Sequence, residues 1–263
     1  MGSATRSALE AARSALAAAK GVDLTTGEHL LAASRTIGTS TQLQSALTDS
    51  SASAKEKSAL LAALFGSLSP AAVELLTGMA GERWSSSGEF LAGVEEIGIR
   101  AIASSASPDS GLEGQLFAFG AAVASNAELE LALGSKRGSA EGKRSIVQSL
   151  LSGSSSPQAI AIAGHLVQQP RGRRIGELVR AGAGIVADSF GKGIATVTAA
   201  RSLSDDQRDS IGTMLRERYG RDHTLNQVID PAVIGGVRVQ VGDDVIDGSV
   251  AARLAELTLR LAG

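Results

Sequence analysis

Residues 228–254 read VIDPAVIGGVRVQVGDDVIDGSVAARL, and no other stretch of the 263-residue chain carries such dense local instructions. Asp230 and Pro231 predict a turn, because proline fixes its own φ and restricts the residue before it. Gly235 and Gly236 admit backbone angles that a Cβ forbids. Val237, Val239 and Val241 alternate with Arg238 and Gln240, which is the period of a strand with one buried face. Gly242, Asp243 and Asp244 predict a hairpin turn, and Val245 and Ile246 the returning strand. Asp247, Gly248 and Ser249 then offer oxygens to cap a helix whose apolar stripe is Val250, Leu254, Leu257 and Leu261.

Upstream, Ser204-Asp205-Asp206-Gln207 predicts a capping box, opening a helix with Ile211, Met214 and Leu215 that Gly220 ends. The two aspartates complement the dipole of that helix better than they form a metal or acid/base pair. Strands are predicted over 194–200 and 225–229. Before them, Ile175, Leu178, Val179, Ile185 and Val186 stripe a helix that Gly191 and Gly193 break. The C-terminal part, 192–263, is thus a small mixed α/β domain.

Everything ahead of it reads as helix. A first helix over 4–20 carries Leu9, Ala12, Leu16 and Ala19 on one face, and Gly21 ends it. Thr25 and Glu28 predict a capping box, as do Ser53 and Glu56. Leu43 and Leu47 mark a short helix. Ser69-Pro70 starts another, with serine at the cap and proline where its missing N–H costs nothing. Residues 90–102 supply one more. The pattern then recurs 86 positions later: Leu43 and Leu47 as Leu129 and Leu133, Ser53 as Ser139, Lys57 as Lys143. One inserted residue makes the offset 87, and Ser69-Pro70 recurs as Ser156-Pro157. This reads as an internal duplication joined by residues 106–111. The expected fold is mainly α: a helical bundle over 1–105, a second over 106–191, then the α/β domain over 192–263. The helix over 90–102 closes the first bundle and also begins the second.

Composition narrows the function classes. A net charge of −2 argues against nucleic-acid binding by phosphate neutralisation. Without cysteine there is no disulfide, thiol catalysis or thiolate metal site. No segment approaches the ~20 apolar residues of a membrane span, so no direct membrane insertion is expected. His29, His165 and His223 lack partners at metal-ligand spacing and read as surface or partly buried side chains. Residues 138–145, GSAEGKRS, miss the phosphate-loop spacing by one residue and place Arg144 between the lysine and the hydroxyl. Catalytic, metal and cofactor residues are therefore all expected to be none. Arg171, Arg173, Arg174 and Arg180 form a basic cluster, read either as a solvated helix face or as a match for an acidic partner. Trp84 reads as a core plug or an interface anchor. The candidate partner contacts are Leu9, Leu16, Val73 and Leu76, with Arg171, Arg173 and Arg174.

The opening stretch resembles the C-terminal signature of the ATP synthase delta subunit family, which includes the oligomycin-sensitivity-conferring proteins. Asp230, Pro231, Ile234, Gly235, Gly236, Val239, Val241, Gly242, Asp243, Ile246, Asp247, Gly248, Ser249, Arg253 and Leu254 carry it, and Thr198-Ala199 sits where the family has a similar pair on a strand. The resemblance is strong from about residue 171 and looser before it. It implies a non-catalytic stator subunit of the proton-translocating ATP synthase, one copy per complex, peripheral on the cytoplasmic side of the cell membrane. Its helical part would hold N-terminal helices of alpha subunits, with helices 4–20 and 70–83 forming a groove for one of them. Its C-terminal domain would hold the end of the b-type stalk subunits. The chain departs from the family in its doubled helical region, as expected of an actinobacterial form, and 19 Arg against 6 Lys fits a GC-rich genome. Some such relatives are fused to b; this chain, lacking a membrane helix, would work with separate b-type subunits. The competing reading is a free-standing helical-bundle adaptor unrelated to ATP synthesis.

Overall fold

The structure, a computed structural model, describes residues 2–135, 137–233 and 235–248. The chain divides into two compact units, Met1–Val186 and Ala187–Gly263.

The first unit is helical: α1 (Ser3–Ala18), α2 (Leu24–Gly38), α3 (Thr41–Thr48), α4 (Ala54–Phe65), α5 (Pro70–Gly81), α6 (Ser87–Ser104), α7 (Leu112–Ser125), α8 (Ala127–Gly134), α9 (Ala140–Leu151), α10 (Pro157–Gln168) and α11 (Ile175–Ser189), whose last residues open the second unit. The caps explain most of these starts. The Ser53 hydroxyl accepts from Glu56 N, and Ser53 N donates back to the Glu56 carboxylate at 2.8 Å. Ser139 caps α9 by accepting from Gly142 N at 3.0 Å, so the glycine-flanked stretch there is a helix start. Pro70 and Pro157 stand in the first turns of α5 and α10.

The start of α2 needs a correction. Its cap is Asp23, which accepts from Thr26 N at 2.7 Å while Asp23 N donates to the Thr26 hydroxyl, so the expected Thr25/Glu28 box does not form. An ionised carboxylate two residues earlier is the stronger acceptor for a free helical N–H.

Leu30, Ile37, Leu61, Leu76, Phe90 and Ile97 are among the side chains that fill the core around α2, α5 and α6. The α2–α6 contact is close: a Cβ on Gly27 would lie 2.7 Å from the Gly98 carbonyl oxygen, and one on Gly98 would lie 2.6 Å from Leu31. Backbone therefore meets backbone at this crossing, and only glycine fits. Among the described residues no single helix is long and apolar enough to cross a membrane.

In the second unit, β1 (Gly193–Ala199) leads through α12 (Asp205–Tyr219) to β2 (His223–Ile229), then to the hairpin β3 (Val237–Val241) and β4 (Asp244–Asp247). The sheet order is β2-β1-β3-β4, with β1–β2 parallel and the other two pairs antiparallel. A parallel pair needs a crossover, and α12 supplies it. Alternate residues of β1, including Ala195, Val197 and Ala199, pack with Ile211 and Leu215 of α12 and with Val239. The Ser204/Gln207 capping box and the left-handed Gly220 (φ 69°) bound α12 where the sequence predicts.

Candidate functional site

The signature of the opening stretch is architectural. Asp230 accepts from Ala232 N through its carboxylate at 2.9 Å and from Val233 N through its carbonyl, while its own N–H donates to Ala199 O. That is a side-chain-closed turn held against the end of β1. Pro231 lies in this turn. Gly235 (φ 63°) and Gly236 (φ 80°) take left-handed angles and line a shallow cleft with Ala199, Leu203 and Gln207. The hairpin loop is two residues, Gly242 and Asp243, with Gly242 at φ 58°, which fits a glycine-first tight turn. Val241 packs on the sheet core. Asp247, expected to help cap a helix, lies in β4 and accepts from Arg238 Nε at 3.1 Å. Gly248 N donates to Val237 O and closes the hairpin. Ile234, Ser249, Arg253, Leu254 and the expected helix beyond them fall outside the described residues.

The helical unit carries an open groove on its surface. α1 and α5 flank a groove of about 340 Å³. Ala11, Ala12, Ala15, Ala18 and Ala19 form one wall, and Leu75, Gly78 and Met79 the other, with Glu74 and Glu82 on the rim. Alanine and glycine walls leave room for another helix's side chains, which is how an amphipathic helix is held in a groove. The candidate contacts divide here. Leu9 and Leu76 are buried in the core, and Leu16 and Val73 are half-buried. None of the four is among the groove-lining residues, whose exposed members include Ala11, Ala15, Ala18 and Gly78. That division was hidden in the sequence, because an apolar stripe does not say which of its members face outward. Trp84, half-buried, packs edge-on to Phe90 with ring centroids 5.6 Å apart and donates from Nε1 to Met79 O at 2.7 Å. It braces the end of α5 as a core plug.

The arginine cluster does find a carboxylate, and it is the chain's own. Glu95 of α6 is 5% exposed. It accepts from Arg171 at 2.6 Å and from Arg173 at 3.1 Å. Arg171 takes φ 48° and Gly172 φ 79°, which bends the α10–α11 loop so that both guanidinium groups reach one carboxylate. His165 of α10, 2% exposed, joins them, its Nε2 standing 3.2 Å from Glu95. Its Nδ1 lies 2.7 Å from Arg35 Nη1 of α2. An arginine only donates, so Nδ1 accepts, and the proton sits on Nε2, which donates to Glu95. Burial drives the His165 pKa below the ordinary imidazole value, against the pull of Glu95 and helped by Arg35 and Arg171. Burial alone would raise Glu95, but the His165 hydrogen bond and the two arginines outweigh it and hold the carboxyl below its ordinary range.

The reading of His165 as an isolated surface or partly buried histidine is thus corrected. Its partners lie 70 and 130 residues away in sequence, beyond any local pattern. Arg180 stacks over Phe117 at 5.7 Å, and Arg174 is exposed. His29 is half-buried and accepts from Ser69 N at 2.9 Å.

Residues 100–261 match the family model described as ATP synthase delta (OSCP) subunit. Over 264 residues, and all of both chains, the sequence is 48% identical to the ATP synthase subunit delta of Leifsonia xyli. It is 37% identical to the ATP synthase subunit delta of Streptomyces griseus, again over the whole of both chains. Against the same subunit of an Arthrobacter species it is 38% identical over 87% of each chain.

Proposed function

Because the chain belongs to the ATP synthase delta (OSCP) subunit family, we propose that it ties the N-terminal helices of alpha subunits to the b-type stalk, one copy per complex, on the cytoplasmic side of the membrane. It is a non-catalytic subunit of the peripheral stalk, part of the stator of a membrane-bound ATP synthase. The work is mechanical: it keeps the catalytic head from turning with the rotor. Rigid helices and several contacts acting at once suit that task, since linked contacts release slowly even when each is modest.

The observation that carries the reading is the α1/α5 groove, an open apolar trough with small-residue walls. An alpha N-terminal helix fills it in this reading, and the α/β unit takes the end of the b subunits.

The helical unit is further read as two repeats sharing α6, spanning roughly 1–105 and 106–191. Positions 86 or 87 apart support this. Leu47 and Leu133 are both 0% exposed, Leu61 and Val147 both 0%, and Leu64 and Leu150 both 50%. The backbone N–H groups of Ser69 and Ser156 each donate to a side chain of the matching earlier helix, His29 in α2 and Gln115 in α7.

The test is reconstitution. Added to delta-depleted membranes from its own source, the chain restores ATP-driven proton pumping. Membranes that stay uncoupled in its presence would favour the free-standing adaptor.

A further inference from the structure

The two repeats do not present the same groove. By the same offsets, Ala12 and Ala15 of α1 correspond to Gly98 and Ala101 of α6, while Gly78 of α5 and Glu82 just past it correspond to His165 of α10 and Gln169 just past it. The second repeat therefore has its own version of the trough, between α6 and α10. It is not open. Ala15 and Gly78 are exposed, whereas Ala101 is 0% and His165 2% exposed.

Ala101 packs in the core cluster that includes Leu30, Ala33 and Ile37 of α2, and another face of α2 covers Gly98 and His165. Gly27 and Leu31 lie against Gly98, Arg35 reaches His165 at 2.7 Å, and Gly38 meets the Gln169 amide so closely that a Cβ would lie 2.0 Å from its nitrogen. Gly27, Leu31, Arg35 and Gly38 fall on one face of α2, at helical spacings of four, four and three.

We propose that α2 is the built-in occupant of the second repeat's groove. The duplication then adds an internal joint in place of a second docking site, and the chain accepts one partner helix, at α1/α5. Sharing α6 between the repeats produces this arrangement. As the closing helix of the first repeat, α6 must pack on α2; as the opening helix of the second, it carries α2 onto α10. The Glu95–His165–Arg35 chain, with Arg171 and Arg173 on the same carboxylate, locks the seat. The filled groove also serves as a pattern for the open one. A helix that fits α1/α5 sets a small residue against Ala12, as α2 sets Gly27 against Gly98, and a large aliphatic residue four positions on, where α2 has Leu31.

The partner half of the inference rests on the alpha-helix reading above, so the test separates the two. The chain has no cysteine, and single-cysteine variants report accessibility cleanly. In the full-length chain the Ala15→Cys thiol reacts freely with a maleimide and is shielded by a synthetic peptide of the alpha N-terminal helix. The Ala101→Cys thiol reacts at least about 100-fold more slowly, peptide or no peptide, because only local opening exposes it. Titration calorimetry with the same peptide gives one site per chain, and Ala15→Trp removes it, lowering affinity at least tenfold. An Ala101→Cys thiol as reactive as that of Ala15→Cys overturns the filled groove. So do two peptides per chain, or a site that survives Ala15→Trp. A slow Ala101→Cys thiol with no peptide binding at all upholds the filled groove and removes the alpha-helix reading.

Discussion

In the duplication proposed above, position 9 in α1 matches position 95 in α6, and the two hold a leucine and a glutamate, both 5% exposed. In the first repeat that position is apolar and belongs to the buried core cluster that also holds Ile97. The second fills it with a carboxylate bound by His165, Arg171 and Arg173. The difference follows from what each face meets. α1 ends in an open trough, whereas α6 is covered by α2 and α10, and its buried face must be tied to both. An ionic joint specifies one seat among the many that leucine packing allows, at little net gain in stability.

Exchanging the residues is the hardest test of that contrast. Leu9→Glu buries a carboxylate in an apolar core cluster, and should cost about 3–5 kcal/mol in urea unfolding. Glu95→Leu should cost less, about 1–3 kcal/mol: the buried His165 Nε2–H loses its acceptor, while Arg171 and Arg173 are part-exposed and turn to water. Equal costs for the two would mean that position 95 is ionic for a reason other than the joint.

The two copies were unequally legible in sequence. Caps, prolines and apolar spacing placed the helices, since each is a local signal. Glu95 also left a trace: it stands between Leu91 and Gly98 at helical spacing, on a face that is otherwise apolar. A charge in that register asks for a buried partner, but His165 and the arginines come from other helices and loops, and spacing within one helix cannot name them. The open groove was half legible. The face of α1 carrying Leu9, Ala12, Leu16 and Ala19 predicts a wall, but the structure buries Leu9 and Ala12 and leaves Ala11, Ala15 and Ala18 exposed. The Asp23 cap was missed because Thr25/Glu28 also satisfied the motif.

The next contrast concerns pH. The folded state holds His165 neutral with its pKa lowered. Its contribution is therefore whole above the unfolded value of about 6.5 and is lost as pH falls through the window down to the folded pKa. Glu95, also lowered, behaves the same way further down, its share declining below about pH 4.3. Between pH 7 and 5, then, histidine dominates this joint, with a slope of at most about 1.4 kcal/mol per pH unit. His165→Gln keeps an acceptor for Arg35 and a donor for Glu95 but cannot take a proton. Its unfolding free energy should fall less steeply with acid than that of the parent, and parallel curves would show that His165 titrates alike in both states.

The smallest expected effect tests whether the repeats share their buried lysines. Lys57 and Lys143 are 7% and 6% exposed at matching places in α4 and α9. Lys57 donates from Nζ to Ala80 O at 3.1 Å, near the C-terminal end of α5, where an ammonium also meets the negative end of the helix dipole. Methionine keeps the stem and drops the charge, so Lys57→Met should cost about 1–2 kcal/mol, the worth of a charged hydrogen bond. In the second repeat the place of Ala80 falls to Val167 in α10, and among the described residues Lys143 has no hydrogen bond there. Lys143→Met should then stay within about 0.5 kcal/mol of the parent, because Lys143 Nζ is not among the buried atoms left without a partner and methionine keeps the buried stem. Matching losses at both positions would mean that the second repeat binds its lysine as the first does, and that the repeats diverge only where α2 is seated.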